Sequence, residues 1–285
     1  MSYPSQVRKI LEDIKNDRIS GSTSLALKGL EALKVFAKQY TDDRNTALLL
    51  AKELVSLRPT FVAITNVISE AVSSYLSGSS SLLDEAERLQ NKVIDAKSKI
   101  AYEFSKVLGR REKVSVLTIS NSSSVSKAIK DNSDRISSVF VCESRPGGEG
   151  EMLVEELNSS HIRSYLIPDL AAESMIKQVD FIVIGSDVIY EDGSIVNKLG
   201  SSTLTKLASL DGKRVYVLAE SFKVCPKGHS ITLEFYDKDK AIPMFDITPL
   251  TYSQVILSDK GILGKKDIAS LAKRYASYLA NIMNR

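Results

Sequence analysis

Val114–Thr118 reads VSVLT, and five further runs of the same character follow it: Val139–Cys142 (VFVC), Ser164–Ile167 (SYLI), Phe181–Ile184 (FIVI), Val215–Leu218 (VYVL) and Val255–Leu257 (VIL). Each is short and rich in β-branched, aromatic or other apolar residues, the composition of a strand. Helix-length stretches separate most of them. Strands that are apolar along their whole length, alternating with helices, belong to a parallel sheet covered on both faces. The pattern predicts an α/β fold with a Rossmann-like, mostly parallel sheet over residues 109–285.

Upstream of that first run the period is helical, and residues 1–108 read as an N-terminal helical domain. Val7, Ile10, Leu11 and Ile14 fall at i, i+3, i+4 and i+7, one stripe of a helix that opens near Pro4. A break at Ser20-Gly21-Ser22 follows, and Leu25, Ala26, Leu30 and Leu33 begin a second stripe. A third helix is expected from Asp43 to Leu57, stopped by Arg58-Pro59, and a fourth from Phe61 to Leu76. After Gly78-Ser79-Ser80 a long helix carries Leu83, Ala86, Leu89, Val93, Ile100 and Phe104. The division between domains is expected near Leu108-Gly109.

Bulk composition narrows the function classes. The 285 residues are 43% hydrophobic and 26% charged, ordinary globular values that permit a sizeable core without disulfides or metals. Lys and Arg number 38 against 35 acidic residues, a net charge of +3. A phosphate-backbone binder carries a clearer basic excess, so no direct nucleic-acid partner is expected. The local cluster Lys106–Lys113 (KVLGRREK) reads as a solvated helix end before a strand. Cys142 and Cys225 form no CxxC pair, and His161 and His229 have no metal-ligand spacing, so reduced thiols and no dedicated zinc or iron site are expected. The N-terminal MSYPSQVRKILEDIKND is amphipathic rather than a signal segment, and no run approaches the ~18 apolar residues of a membrane span. A cytoplasmic protein with no membrane partner is the expectation.

Ligands of open α/β sheets bind at the carboxyl ends of the strands. The residues found there are Ser120-Asn121-Ser122-Ser123-Ser124, the stretch Glu143-Ser144-Arg145-Pro146-Gly147-Gly148-Glu149-Gly150, Gly185-Ser186-Asp187 with Asp192–Gly200 (DGSIVNKLG), and Glu220-Ser221-Phe222-Lys223. The serine run suits a plain helix cap, and equally a phosphate cradle of hydroxyls and N–H groups at a helix start. The glycine-rich stretch is compatible with a simple turn, and Asp187 with Lys198 could form a structural ion pair. Convergence favours a pocket, because the strand ends together supply a carboxylate, an arginine, an amide, a lysine and an anion-ready helix start. No GxGxxG, GxxxxGK[ST] or GxSxG occurs, which leaves a dinucleotide enzyme, a P-loop ATPase and an α/β-hydrolase unsupported.

Thr118-Ile119-Ser120-Asn121-Ser122, Glu143-Ser144-Arg145-Pro146, Gly185-Ser186-Asp187, Asp192–Gly200, Ala219-Glu220-Ser221-Phe222-Lys223 and Phe245-Asp246-Ile247-Thr248-Pro249 occur in that order. At these strand ends the chain resembles a family that joins the α, β and δ subunits of translation initiation factor 2B with isomerases of ribose 1,5-bisphosphate and 5-methylthioribose 1-phosphate. The resemblance covers essentially the whole second domain; the N-terminal helices and the Ile19-Ser20-Gly21-Ser22 break fit more weakly. It implies a sugar-phosphate-style ligand site at Gly21, Ser22, Ser120, Asn121, Ser122, Arg145, Asp187, Asn197 and Lys198. In the isomerase members a cysteine after the first strand and an aspartate act as the catalytic pair. Asp187 matches the aspartate, and Ser120 stands where the cysteine would be. A thiol is readily tuned to ionise near neutrality, whereas an unassisted serine stays protonated. The arginine of an Arg-Gly-Ala-Gly phosphate loop is also replaced, by Ser20-Gly21-Ser22-Thr23.

The resemblance therefore implies a regulatory subunit of the initiation factor 2B type. Such a subunit would form a homodimer or larger homo-oligomer and bind the GTPase initiation factor 2 or its α subunit. It would need no cofactor and take a nucleotide or sugar phosphate as ligand. The alternative is a sugar-phosphate aldose–ketose isomerase with Asp187 as its acid/base.

Overall fold

Near residue 113 the sequence exchanges helical periodicity for short apolar runs, and the backbone changes with it. A computed structural model describes residues 3–17, 20–40, 43–78, 80–109, 113–233, 235–237, 241–251 and 254–285. Ile19 of the expected interhelical break and Arg110-Arg111-Glu112 of the basic cluster lie outside the described residues. The elements in chain order are α1 (Ser5–Asn16), α2 (Ser22–Gln39), α3 (Arg44–Leu57), α4 (Val62–Leu76), α5 (Leu82–Leu108), β1 (Val114–Ile119), α6 (Ser123–Asp131), β2 (Ile136–Cys142), α7 (Glu149–Ser159), β3 (Ser164–Ile167), α8 (Ala172–Ile176), β4 (Phe181–Gly185), β5 (Val188–Ile189), β6 (Ile195–Lys198), α9 (Ser201–Leu210), β7 (Val215–Leu218), β8 (Phe235–Asp237), β9 (Ile242–Pro243), β10 (Phe245–Thr248), β11 (Gln254–Ser258), β12 (Gly261–Ile262) and α10 (Lys265–Met283). Helices then a mostly parallel sheet is the architecture expected from the sequence.

The chain groups into two compact units that are interleaved along it. One comprises residues 1–95, 222–232 and 269–285; the other comprises 96–221 and 233–268. The sequence reading divides the chain once, after Leu108, whereas the units exchange segments at α5, after Ser221 and within α10.

In the first unit, Val7, Leu11 and Ile14 of α1 are buried, and Ile10, the fourth residue of the stripe defined by the spacing, is half-buried. Asp43 caps α3 by accepting the Thr46 N–H at 3.0 Å, and Ser81 caps α5 by accepting that of Asp84 at 3.1 Å. Helix α4 is buried on nearly every side and forms the centre of this unit. Several of its polar residues are partnered, although the Ser69 hydroxyl is buried without a hydrogen-bond partner. Glu70 receives Lys92 at 2.9 Å and Arg88 at 3.4 Å. The Asn66 amide donates to the carbonyls of Phe222 at 2.8 Å and Val224 at 2.7 Å, while Asn281 donates to the Ser73 hydroxyl at 2.7 Å.

The second unit is built on a seven-stranded sheet in the order β12-β11-β7-β4-β1-β2-β3, parallel except for β12. From β1 the chain winds through β2 and β3 to one edge, then returns to β4 and winds through β7 and β11 toward the other. The direction reverses between β1 and β4, which is where open sheets of this kind leave a crevice. Val116, Val139, Val141, Phe181 and Val183 are buried with Phe104, Ile129, Leu153 and Leu157 in one core. Phe181 meets Phe104 edge-to-face at 6.1 Å and Tyr216 at 5.1 Å.

Two smaller sheets were not legible beforehand. Strands β10-β6-β5 form an antiparallel sheet, and β8 pairs with β9. The DGSIVNKLG segment, read as a connection after a strand, thus contains one: a turn at Asp192-Gly193-Ser194 leads into β6. Gly193 adopts φ 87°, a conformation that favours glycine, and Ser194 donates its N–H and hydroxyl to Asp192 Oδ1 at 2.9 and 2.6 Å.

Candidate functional site

Seven of the nine residues singled out from the sequence lie within the second unit, at or near the carboxyl ends of its strands. Ser120 follows the strand with φ 69°, and Ser144, just after β2, has φ 68°. Non-glycine residues rarely take this left-handed conformation, which costs of order 1 kcal/mol or more and persists where surroundings enforce it. The two are joined: the Ser120 N–H donates to the Ser144 hydroxyl oxygen at 2.6 Å. Ser144 in turn donates its hydroxyl to the Cys142 carbonyl at 2.9 Å and its N–H to Asp169 Oδ1 at 2.7 Å. Asp169 Oδ2 accepts the Arg145 N–H at 2.8 Å. Ser144 and Asp169 were missed as supports of this site. The only prior signal for Asp169 was its place after β3, at the same sheet edge.

On the β4 side of β1, Gly185 lets its neighbours approach. A Cβ there would lie 2.5 Å from the Ser122 hydroxyl and 3.8 Å from Asn197 Oδ1. Ser122 also caps α6, accepting from the Val125 N–H at 3.5 Å. Ser124, the second residue of α6, donates to Glu220 Oε1 at 2.8 Å; Glu220 is fully buried just after β7. Asn197 donates to the Ser201 hydroxyl at 2.8 Å, leaving its Oδ1 toward this side. Asp187 is half-buried and its N–H donates to the Val196 carbonyl at 2.8 Å, so it is held against β6.

On the β2 side the arrangement is ionic. Lys198 is 3% exposed and its ammonium donates to Glu149 Oε1 at 2.8 Å. The sequence had offered Asp187 as a structural partner for Lys198; Glu149, the first residue of α7, takes that place. Successive residues of a strand face opposite ways, which is why Asn197 reaches the β4 side and Lys198 the β2 side. Arg145 is exposed and its guanidinium pairs with Glu143 at 3.3 Å and Glu151 at 3.0 Å. Asn121 is half-buried between Ser120 and Ser122. Gly21 and Ser22, at the start of α2, belong to the other unit; Gly21 has open space around it and Ser22 is 1% exposed.

Asp246 of β10 fixes the segment that carries Asn197 and Lys198. It accepts the N–H of Gly200 at 2.8 Å and that of Ser202 at 3.1 Å, capping α9. Burial pushes its carboxyl above the ordinary carboxylate range, against the backbone donors that pull it down. The thiol nearest to the site, Cys142, pairs in register with Ile119 and is 1% exposed. Burial, with Asp169 adding to it, pushes that thiol up to about 12. It remains protonated near neutrality.

A model of the initiation factor 2 subunit family matches residues 18–265, a span that takes in all these strand ends. The chain belongs to the initiation factor 2 subunit family. Among its relatives, the ribose 1,5-bisphosphate isomerase of Archaeoglobus fulgidus is 29% identical over 90% of each chain. The crystal structure of the Pyrococcus horikoshii OT3 translation initiation factor eIF-2B superposes with a TM-score of 0.79 at 26% identity, over 91% of this chain and 97% of that one. The 5-methylthioribose 1-phosphate isomerase of the same organism has a TM-score of 0.75 at 20% identity, over 95% and 87% of the two chains, and shares the fold. This member of the family thus resembles proteins named for translation and proteins named for sugar-phosphate isomerisation. Among the described residues no helix is long and apolar enough to cross a membrane.

Proposed function

We infer that this chain is a regulatory-type subunit of the initiation factor 2B kind, which binds a phosphorylated sugar or nucleotide at the β1 edge without isomerising it. The observation that carries the reading is the residue at the cysteine position of the isomerase pattern. Ser120 has no histidine beside it in sequence to ionise it, and its backbone is tied to Ser144. Cys142 offers no substitute, since its buried thiol is held protonated. Moving a proton between adjacent sugar carbons needs an acid and a base matched to neutral pH, each contributing ~10²–10⁴-fold. Asp187 can supply one such group. Ser122, the N–H groups at the start of α6 and Asn197 offer donors for a phosphate. The partner on this reading is the GTPase initiation factor 2 or its α subunit, a role that rests on family likeness.

The second reading, a sugar-phosphate isomerase, is favoured by the relatives named ribose 1,5-bisphosphate isomerase and by the retained Asp187. Incubation with ribose 1,5-bisphosphate or 5-methylthioribose 1-phosphate separates the two. Little or no product is expected from the natural protein. Ser120→Cys, which restores a thiol with little added volume, is expected to gain turnover. Robust turnover by the natural protein, abolished in Asp187→Asn, would establish the enzyme instead.

A further inference from the structure

The Glu149–Lys198 pair sits at one end of the candidate site and changes what that end can accept. Lys198 alone would be a receptor for a second phosphate, because its side chain is buried and its ammonium lies at the start of α7. It is already engaged by Glu149 at 2.8 Å. The other carboxylate oxygen, Oε2, is buried with no hydrogen-bond partner. A buried carboxylate oxygen without a donor leaves negative charge uncompensated, and that repels a further anion in a low-dielectric site. Glu149 is held there by two features. It is the first residue of α7, where the helix dipole favours a carboxylate. Gly147 gives it room: a Cβ at that position would lie 2.3 Å from Oε1 and 2.7 Å from Oε2.

We propose that Glu149 is the specificity-determining residue of the site, neutralising Lys198 so that the ligand presents a single phosphate on the Ser122–Asn197 side and a hydroxyl, not a second phosphate, on the Lys198 side. The ligand class is then a sugar or nucleoside monophosphate rather than a sugar bisphosphate. A hydroxyl can donate to the carboxylate and accept from the ammonium at once, which a phosphate dianion cannot. This deepens the reading of the site as a phosphate-ester receptor and rests on it.

Titration calorimetry of the full chain with ribose 5-phosphate and with ribose 1,5-bisphosphate tests it. The natural protein should bind the monophosphate at least tenfold more tightly. Glu149→Gln keeps the shape and removes the charge; it should raise bisphosphate affinity roughly tenfold and weaken monophosphate binding, because the ligand hydroxyl loses an ionised acceptor. A natural protein that prefers the bisphosphate overturns the proposal without any variant. So does a Glu149→Gln variant in which both affinities move together, while the phosphate site itself stands. Failure of both sugar phosphates to bind either protein at millimolar concentration overturns the underlying reading as well.

Discussion

Two aspartates near the site respond to acid in opposite senses. Asp192 is held below the ordinary carboxylate range by the Ser194 hydroxyl, then by the Ser194 N–H. Its ionised form is favoured in the folded chain, so its contribution to stability is present above the ordinary carboxylate pKa and is lost as pH falls through its lowered value. Asp246 is shifted upward, chiefly by burial. Folding there favours the protonated form, so stability declines as pH rises from the ordinary value toward the raised one and is level above it. Carbon-detected NMR titration should place the Asp192 midpoint below that of an exposed aspartate and the Asp246 midpoint above it. Asp246→Ala, which removes the acceptor of Gly200 and Ser202, should cost about 1–2 kcal/mol in urea unfolding. The placement of Ser120 and Asp187 at the carboxyl ends of strands was legible in the sequence, because both lie just after apolar runs. The parts of Ser144, Asp169 and Asp246 were not. Each acts through the backbone of residues more than twenty positions away, and no local pattern carries such a bond.

Among the elements, the six apolar runs became the six parallel strands β1, β2, β3, β4, β7 and β11, with boundaries shifted by a few residues at most. Their apolar composition specifies them, and it follows burial along β1 and β4, while the edge strand β3 leaves Tyr165 and Leu166 exposed. Strand β5 is only two residues long, and β6 and β10 escaped because they carry polar residues, Asn197 and Lys198 in one and Asp246 and Thr248 in the other, where an apolar run would be sought. The core predicts its own sensitivities. Phe181→Ala removes a ring that packs edge-to-face on two others and should destabilise the protein by ~3–5 kcal/mol, measured by chemical denaturation. Gly150→Ala should be of comparable severity, about 3 kcal/mol, because its Cβ would lie 1.9 Å from the Cys142 carbonyl oxygen and the α7 start must move. If Gly150→Ala melts like the natural protein, the close approach of α7 to the end of β2 is wrong.

For the whole molecule, we expect a homodimer or larger symmetric assembly, from the near-balanced charge of +3 and the family likeness. Light scattering at micromolar concentration should give at least twice the 31.3 kDa chain mass; a monomer would remove this expectation. The interleaving of the two units bears on how the chain comes to be folded at all. Residues 222–232 and 269–285 complete a unit whose first ninety-five residues are made much earlier. On the ribosome, Asn66 and Ser73 of α4 lack the carbonyls of Phe222 and Val224 and the amide of Asn281 until more than 150 further residues have been made. These polar contacts of α4 are therefore completed only after strands β1 to β7 of the other unit have been translated.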